Sequence, residues 1–476
     1  MNKKLLAFQE YIKNKRVAVL GMGISNLPLI RYLAHLDVDI TAFDLADEHK
    51  LSAALTSLEG LNIRYSLGAS YLEKLIGFDI IFKTPIVRWD LPELLAEKNR
   101  GAEITSEMEV FLNLCPAKTF GITGSDGKTT TTTLVYEMLK QQGYNCWLGG
   151  NIGAPLLDKI DSITDEDMVI VELSSFQLQT ITKSANTAVI TNLSPNHLDV
   201  HKSYEEYIDA KKNIFRYQLT DDLCILNYDC AETRSLSKES PGKLGFFSLS
   251  QDLSAVRCHI AAYLSGDEIV VQYDNRDAHP ILDIRNIRLI GKHNVDNYLA
   301  AICATARHVS HESVKTVAAA FTGVEHRIEF VRELNGVRFF NDSIASSPTR
   351  TIACLNAFDK RIILIAGGKD KNLDYAALGK HIAEKVKLLV LCGQNAPKIK
   401  AALLDHFEQK HEPCSIPVVD FDDYESAVSY ANLHAASGDA IVLSPAGTSF
   451  DRFKNFEERG RLFKKLVHDL PEVSSV

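Results

Sequence analysis

Residues 118–130 read KTFGITGSDGKTT, and this stretch decides the class of fold. It passes from an apolar strand through a glycine loop into a helix, as a phosphate-binding loop does, with its backbone N–H groups and the helix dipole turned toward a polyphosphate. Lys128 would neutralise the β- and γ-phosphates, and the Thr129 hydroxyl would hold Mg²⁺. Because Ile122 stands where the strict motif has its first glycine, a glycine turn that only caps the helix remains an alternative. The candidate nucleotide-binding residues are Gly124, Ser125, Asp126, Gly127, Lys128, Thr129 and Thr130.

A carboxylate for the metal ion is predicted at the end of a neighbouring strand. Glu172 follows the apolar residues 168–171, MVIV, in the position of the acid that holds Mg²⁺ in nucleotide-hydrolysing enzymes. Many buried strands end in a carboxylate that only caps the following helix, so a capping role is the alternative.

Polar side chains crowd residues 192–201, NLSPNHLDVH. His197 and His201 are four residues apart, but the glutamate of the zinc-protease motif H-E-x-x-H is missing, so a protease is not indicated. A hydrogen-bonded loop histidine is the alternative for each, and it is the preferred interpretation for His201. The following segment, 207–215, is amphipathic and contains Lys211, and lysines on such a helix are normally solvated.

A second glycine turn follows the first strand of the chain. The strand at 16–20 leads into residues 21–26, GMGISN, and Asp44 ends the next strand about 20 residues later, which is the geometry of a dinucleotide or nucleotide-diphosphate site. Asn26 replaces the third glycine of the fingerprint. The turn therefore favours a diphosphate over NAD, and a plain glycine turn stays open.

The composition is that of a soluble globular protein. Its 476 residues predict two to four domains at about 150 residues each. The net charge of −9 gives no overall basic footprint for nucleic acid. Nine scattered cysteines without a C-x-x-C pair indicate neither a disulfide framework nor a thiolate zinc site, and they fit a reducing cytosol. No apolar run approaches the roughly 18 residues of a membrane span.

Short β-branched runs alternate with amphipathic stretches, so the predicted fold class is α/β with mostly parallel sheets. Three sections can be separated, and we place the domains at 1–107, 108–322 and 323–476. Strands are predicted at 16–20, 39–44, 79–82, 118–124, 167–173, 187–193, 224–227, 337–340, 361–366, 387–391 and 440–444. A hairpin-like stretch is predicted over 252–289.

Taken in order along the chain, these motifs resemble the Mur ligase family, ATP-dependent amide-bond-forming enzymes of peptidoglycan synthesis with three α/β domains. The resemblance covers essentially the whole chain. The matching tracts are TGSDGKT at 123–129, GGNIG at 149–153, ELSSFQL at 172–178, NHLD at 196–199, Ala210-Lys211, and GKHN at 291–294 with Asn297. Residues 341–343, NDS, and 443–460, LSPAGTSFDRFKNFEERG, are similar to the branch of the family that adds D-glutamate.

The resemblance implies a cytoplasmic, monomeric enzyme that joins D-glutamate to UDP-N-acetylmuramoyl-L-alanine in peptidoglycan precursor synthesis. Phosphoryl transfer from ATP activates the carboxylate of the acceptor, and the amine of D-glutamate attacks the resulting acyl phosphate. The implied cofactors are ATP and two Mg²⁺ ions, one of them held through a carbamylated Lys211. The partners are these small molecules, with neither nucleic acid nor a membrane span involved.

The resemblance also assigns residues to these roles. The implied domains are an N-terminal Rossmann-like domain for the UDP substrate, a central ATPase domain of the phosphate-loop type, and a C-terminal Rossmann-like domain for D-glutamate. The catalytic residues are Lys128, Glu172, His197 and Lys211, and the metal ligands are Thr129, Glu172, His197 and Lys211. Further nucleotide contacts are Asn294, Asn297, Arg327 and Asp342. The substrate-binding residues are Gly21, Gly23, Ile24, Ser25, Asp44, Asn151 and His197 for the UDP-sugar, and Lys371, Ser449 and Phe456 for D-glutamate.

Some positions depart from the family pattern. Ile344 stands where a lysine is frequent, Ile86 replaces the glycine after Pro85, and Gly447-Thr448 replaces a common Cys-Ala pair. Three other functions stay open. The first is a sibling ligase for another amino acid or acceptor, such as a folylpolyglutamate synthase. The second is an NAD-linked oxidoreductase built on the first glycine turn, and the third is a catalytically idle nucleotide-binding module.

Overall fold

A computed structural model describes residues 2–471 except 24, 197–199, 275, 290, 371 and 372. The chain forms two compact units, Met1–Asn286 with His293–Ala319, and Ile287–Lys292 with Ala320–Val476. The first unit contains two sheets and the second contains one. This confirms the α/β class with three sheets, while the domain boundaries at 107/108 and 322/323 stay a prediction.

The first sheet is fully parallel, with the strand order β3-β2-β1-β4-β5. The strands are β1 (Arg16–Leu20), β2 (Asp39–Asp44), β3 (Ile63–Leu67), β4 (Ile80–Lys83) and β5 (Glu103–Thr105). The helices are α1 (Lys3–Lys13), α2 (Asn26–Ala34), α3 (Ser52–Ser57), α4 (Pro92–Asn99) and α5 (Glu107–Leu114). The strand order reverses between β1 and β4, and ligands of such sheets bind at the carboxyl ends of the strands at this switch point.

The second sheet has nine strands in the order β14-β13-β12-β11-β10-β9-β6-β8-β7. It is parallel from β7 to β12, and β13 and β14 extend it as the predicted antiparallel hairpin. The strands are β6 (Lys118–Thr123), β7 (Cys146–Gly150), β8 (Met168–Glu172), β9 (Thr187–Ile190), β10 (Leu223–Asn227), β11 (Lys243–Ser248), β12 (Ile260–Ser265), β13 (Glu268–Tyr273) and β14 (His279–Asp283). The helices are α6 (Lys128–Gln141), α7 (Ser175–Leu178), α8 (Tyr204–Arg216), α9 (Ala231–Ser235), α10 (Lys292–Thr305) and α11 (His311–Ala320).

The third sheet has the order β15-β16-β20-β17-β18-β19, and only β15 is antiparallel. The strands are β15 (Glu329–Leu334), β16 (Val337–Asn341), β17 (Ile362–Ala366), β18 (Val386–Leu391), β19 (Val418–Asp420) and β20 (Ala440–Leu443). The helices are α12 (Pro348–Asn356), α13 (Ala376–Lys385), α14 (Ala396–Gln409), α15 (Tyr424–Leu433) and α16 (Phe456–Asp469). Apolar residues of α12, α13 and α14 pack in one core cluster and those of α15 and α16 in another.

Most of the strands that the sequence did not predict lie at sheet edges. β3, β7, β15 and β19 each have one neighbouring strand. An edge strand is only partly covered, so it carries polar residues and glycines in place of a continuous apolar run. β11, an internal strand, was missed as well.

The state of the cysteines agrees with the prediction made from their number and spacing. All nine cysteines are free thiols, as the lack of a disulfide framework predicts. Cys224, Cys303, Cys354 and Cys392 are buried. Within the part of the chain that the structure describes, no helix is long and apolar enough to cross a membrane.

Candidate active site

The glycine loop after β6 begins at the carboxyl end of a strand in the interior of the second sheet, between β9 and β8. Gly127 precedes α6 with φ +77, and a Cβ there would lie 2.4 Å from Asn297 Oδ1. At Gly124, with φ +151, a Cβ would lie 1.9 Å from Thr191 Oγ1. Both positions need glycine because of their backbone angles and because other chain segments approach so closely.

Residues from distant parts of the sequence hold this loop in place. The Asp126 N–H donates to Asn192 Oδ1 at 2.8 Å, and the Ser125 hydroxyl shares a 2.9 Å hydrogen bond with the Tyr207 hydroxyl. Lys128 Nζ donates to the carbonyl oxygens of Gly124 (3.0 Å) and Ser125 (2.8 Å). The candidate residues of the sequence analysis did not include Asn192 or Tyr207, although polar residues after a parallel strand are a usable signal.

Glu172 ends β8, the neighbour of β6, and its side chain is 1% exposed. Its Oε1 accepts a 2.7 Å hydrogen bond from Asn151 Nδ2, whereas Oε2 is buried and accepts none from any described residue. α7 is instead capped by Ser174, which forms a capping box with Gln177, so the helix-capping alternative for Glu172 is wrong. An unpaired buried carboxylate oxygen is costly, and oxygen donors are what Mg²⁺ prefers, so Glu172 fits a metal-binding role.

Lys211, on α8, is 1% exposed, so the interpretation of it as a solvated helix lysine is wrong. Its Nζ donates to Thr123 Oγ1 (3.1 Å) and to the Gly124 carbonyl (2.8 Å). Burial lowers the pKa of the Lys211 amine well below its ordinary value, and the charge of Lys128 acts in the same direction. The next residue, Lys212, shows the solvent-side alternative, since it pairs with Glu239. The tertiary structure thus brings Lys211 to the phosphate loop.

Of the two histidines in the 192–201 segment, the structure describes only His201. His197 lies outside the described residues, so its predicted roles are not examined by the structure. His201 is buried, its Nε2 is 2.9 Å from Ser175 Oγ, and its ring stacks on Phe176 at 5.3 Å. These contacts agree with the preferred interpretation of His201 as a hydrogen-bonded loop histidine.

Two of the predicted nucleotide contacts, Asn294 and Asn297, are buried on α10. Asn297 Nδ2 donates to Asn294 Oδ1 at 3.0 Å, and Thr131 on α6 donates to Asn297 Oδ1 at 3.2 Å. The first turn of α6 and the first turns of α10 therefore lie together. Thr129 and Thr130 belong to that first turn of α6, with Thr129 partly exposed and Thr130 buried.

The glycine turn after β1 is held by Asp44, the residue that ends β2. Asp44 accepts hydrogen bonds from the N–H groups of Met22 (2.7 Å) and Ala46 (2.8 Å). Gly21 has φ +90, and a Cβ there would lie 2.9 Å from the Thr84 side chain. Ser25 and Gly23 lie in the same turn, and Ile24 lies outside the described residues. These contacts give Asp44 a turn-stabilising role, and its contact with a uridine stays a prediction.

In the second compact unit, Asp342 is buried and accepts hydrogen bonds from Ser444 Oγ (2.8 Å) and from the Ile328 N–H (3.3 Å). Burial raises the pKa of the Asp342 carboxyl to about 6. Arg327, which precedes Ile328, is partly buried. The structure therefore brings the Asp342 carboxylate beside the backbone of the segment that carries Arg327.

The residues predicted for D-glutamate lie in the same unit. Ser449 is buried and Phe456 begins α16, with its ring edge-on to His326 at 5.8 Å. Lys371 lies outside the described residues. Arg459, which the sequence analysis included in the 443–460 tract without giving it a role, is buried and donates to the carbonyl oxygens of Ser343 (2.8 Å) and Thr448 (3.2 Å). Arg459 thereby ties the loop after β16 to the loop that carries Ser449.

The close contact at Gly127 predicts different effects of substitution at two glycines that flank α6, Gly127 and Gly143. We expect Gly127→Ala to lower the melting temperature and to weaken ATP binding, because the left-handed backbone costs about 1–2 kcal/mol and the new Cβ displaces Asn297. The control is Gly143→Ala, which also has a left-handed φ of +102 but open space around its Cβ. It should cost stability alone and leave ATP affinity unchanged in calorimetric titration. Equal ATP affinity in both variants would contradict the assignment of the loop.

Comparison with known proteins agrees with this arrangement. Three family models match: Mur ligase MurD-like, N-terminal domain over residues 15–106, Mur ligase middle domain over 122–305, and Mur ligase, glutamate ligase domain over 326–447. Proteins named UDP-N-acetylmuramoylalanine--D-glutamate ligase match over 99% of this chain and 100% of their own length, with 56% identity in Acetivibrio thermocellus and 52% in Ruminiclostridium cellulolyticum.

Solved structures show the same fold at low sequence identity. The UDP-N-acetylmuramate-alanine ligase of Thermotoga maritima has a TM-score of 0.57 at 18% identity and covers 96% of this chain and 99% of its own. The MurF ligase of Thermotoga maritima, solved in complex with ADP, has a TM-score of 0.53 at 17% identity, with coverages of 89% and 92%. From the three matching domains and the full-length relatives, the chain belongs to the Mur ligase family.

Proposed function

We propose that this protein is an ATP-dependent ligase that joins D-glutamate to UDP-N-acetylmuramoyl-L-alanine through an acyl phosphate, in the cytoplasm and as a monomer. The observation that carries the proposal is the full-length match, at 56% and 52% identity, to relatives named for this reaction. The site supports the ATP-dependent half of it. A glycine loop, a lysine and a second, buried lysine lie together with a buried carboxylate oxygen of Glu172 that accepts no hydrogen bond from the described residues.

The loop residues would bind and orient the nucleotide. Loop N–H groups and the N-terminus of α6 bind the phosphates, while Lys128 leaves the loop carbonyls that it now contacts and neutralises the transferred group. Thr129 and Glu172 would hold the first Mg²⁺, which when bound offsets the negative charge on the phosphates. Asn294, Asn297, Arg327 and Asp342 are the proposed further nucleotide contacts.

Lys211 is proposed to hold the second Mg²⁺ together with His197, after conversion to a carbamate. Burial lowers the pKa of the Lys211 amine and so raises the fraction of its neutral form, which has the lone pair that attacks CO₂. The new N–C bond forms as the nitrogen loses a proton, and the product is an anion with two oxygen donors suited to a hard cation. The carbamate would also remove the unfavourable proximity of two ammonium groups, Lys128 and Lys211.

With the boundaries 1–107, 108–322 and 323–476, we assign the UDP-sugar to the first domain together with Asn151 and His197 of the central domain, and D-glutamate to the third domain. Gly21, Gly23, Ile24, Ser25, Asp44, Asn151 and His197 would bind the UDP-sugar, and Lys371, Ser449 and Phe456 would bind D-glutamate. Enclosure of the acyl phosphate excludes water, so that the amine of D-glutamate attacks it in place of hydrolysis. Loss of phosphate from the resulting tetrahedral species leaves the amide.

The experiment that tests this function measures phosphate release from ATP with UDP-N-acetylmuramoyl-L-alanine present. D-glutamate, L-glutamate, L-alanine and no amino acid are compared, and the product is identified by mass. We expect release with D-glutamate alone. Phosphate release with a different amino acid would indicate a sibling ligase. A change in nicotinamide absorbance without ATP would indicate the oxidoreductase. No phosphate release in any of the mixtures would indicate a nucleotide-binding module without catalytic activity.

A further inference from the structure

A buried lysine outside the catalytic set lies at the switch point of the first sheet. Lys83 is the last residue of β4 and pairs in register with Leu20, the last residue of β1. Its side chain is 2% exposed. It therefore stands at the carboxyl ends of the two strands between which the strand order reverses, where doubly wound sheets bind their ligands.

Among the residues that the structure describes, the buried Lys83 ammonium group has no partner for its charge. None of the described residues accepts a hydrogen bond from its ammonium group or forms an ion pair with it, although Glu109 exerts an attraction from farther away. The other buried lysine, Lys211, differs in donating to two oxygen atoms. Burial lowers the pKa of Lys83 to about 8, so the group is still mostly protonated at pH 7. An unpaired buried cation is costly, and an anion placed beside it would recover that cost.

Lys83 lines a cavity within the first compact unit. The wall includes Ser25 and Asn26 at the start of α2, together with Gly150 at the end of β7 and Gln177 on α7. The N-terminus of α2 contributes the positive end of a helix dipole to the same space. Glu107 also lines the cavity, but burial raises its pKa to about 7, and one of its oxygens accepts hydrogen bonds from the N–H groups of Leu156 and Leu157.

We propose that Lys83 binds the diphosphate of the UDP substrate. Of the residues to which the proposed function assigns this substrate, Ser25 lines the same cavity and Asn151 directly follows Gly150 of its wall. A diphosphate brings the compact negative charge that an unpaired ammonium and a helix N-terminus both favour. The inference rests on the proposed function, and it adds a binding residue to which the sequence analysis assigned no role.

The test compares Lys83→Met with Lys98→Met. Lys98 is the control because it is an exposed lysine of α4, the helix that follows β4 along the chain. Methionine keeps the length and apolar stem of lysine without its charge. Dissociation constants are measured by calorimetry in the full-length protein for UDP-N-acetylmuramoyl-L-alanine, UDP, uridine and ATP. We expect Lys83→Met to weaken the affinity for UDP-N-acetylmuramoyl-L-alanine and for UDP about 10- to 100-fold, as loss of a charge-assisted contact does. The affinities for uridine and ATP should not change. Lys98→Met should change none of them.

Unchanged affinity for UDP in a folded Lys83→Met protein would overturn the inference. A loss for the complete substrate but not for UDP would also overturn it, because the contact would then be to the alanyl carboxylate. D-glutamate-dependent phosphate release by the unaltered protein is measured in parallel. If phosphate release is observed but Lys83→Met does not weaken UDP binding, only the inference about Lys83 is contradicted and the proposed function stands. If the unaltered protein neither releases phosphate nor binds UDP, the proposed function itself is contradicted.

A pH titration of the unaltered protein keeps the test decisive if Lys83→Met does not fold. A bound anion stabilises the protonated lysine, so UDP affinity should fall as the pH rises above about 8, the pKa of free Lys83. The carboxylates that face Lys83 are Glu107 and Glu109, and Glu107, with a pKa of about 7, is already largely ionised there. UDP affinity that stays constant from pH 7.5 to about 10 would overturn the inference.

Discussion

Replacement of Lys128 by alanine should lower D-glutamate-dependent turnover by at least about a thousandfold while the protein stays folded. The ammonium group supplies charge at a transferring phosphoryl group, and that charge matters more in the transition state than in the bound ground state. The side chain is half-buried, and its two hydrogen bonds go to carbonyl groups of its own loop. Stability should therefore change much less than kcat, as measured by thermal unfolding beside steady-state phosphate release.

The matched control for Lys128→Ala is Lys140→Ala. Lys140 lies on the same helix, α6, but in its last turn and exposed to solvent. It should retain turnover within a factor of about two, because a surface substitution of this kind is usually close to neutral. Near-normal turnover of Lys128→Ala would contradict the phosphate-loop assignment, and equal losses in both variants would point to a general effect on α6.

Lys211→Ala should be almost inactive, with a loss similar to that of Lys128→Ala. The variant removes the proposed carbamate and hence an oxygen ligand of the second Mg²⁺. Its fold should survive, because replacing a buried cation also removes a desolvation cost. Steady-state phosphate release and thermal unfolding measure the two effects separately.

Chemical rescue distinguishes a carbamate from an ammonium role at Lys211. A small carboxylate such as formate or acetate places two oxygen donors in the space that alanine leaves, so partial recovery of turnover with rising carboxylate concentration is expected. Lys212→Ala is the control, since Lys212 is the next residue of α8, is only partly buried and pairs with Glu239. It should remain active and insensitive to carboxylate. Full activity of Lys211→Ala without any addition would refute the carbamate proposal.

The sequence was a good guide wherever a feature is encoded by neighbouring residues. The glycine spacing of 121–130 predicted the loop and its helix, and α6 begins at Lys128 as that pattern requires. Central strands such as β1 and β17 were found because burial on both faces demands a continuous apolar run. Edge strands such as β3 and β19 were missed because a partly solvated strand carries no such run.

The site could be predicted in part. Glu172 was identified with an alternative as a helix cap, and the structure decided between the two because Ser174 is the cap. Lys211 looked like an ordinary surface lysine of an amphipathic helix until the family resemblance singled it out. Ile24, His197 and Lys371 lie outside the described residues, and the roles assigned to individual residues stay predictions.

By itself, the sequence determined the α/β class, the phosphate loop and the family, because each depends on local spacing or on the order of motifs along the chain. Only the tertiary structure decided which charged groups are buried and which lack a partner. The packing of segments far apart in sequence brings Lys211 to Thr123 and Gly124, whereas it gives the Lys83 ammonium group no hydrogen-bond partner among the described residues. Desolvation and charge pairing depend on distances in space, and these become defined only when the sheets and helices pack together.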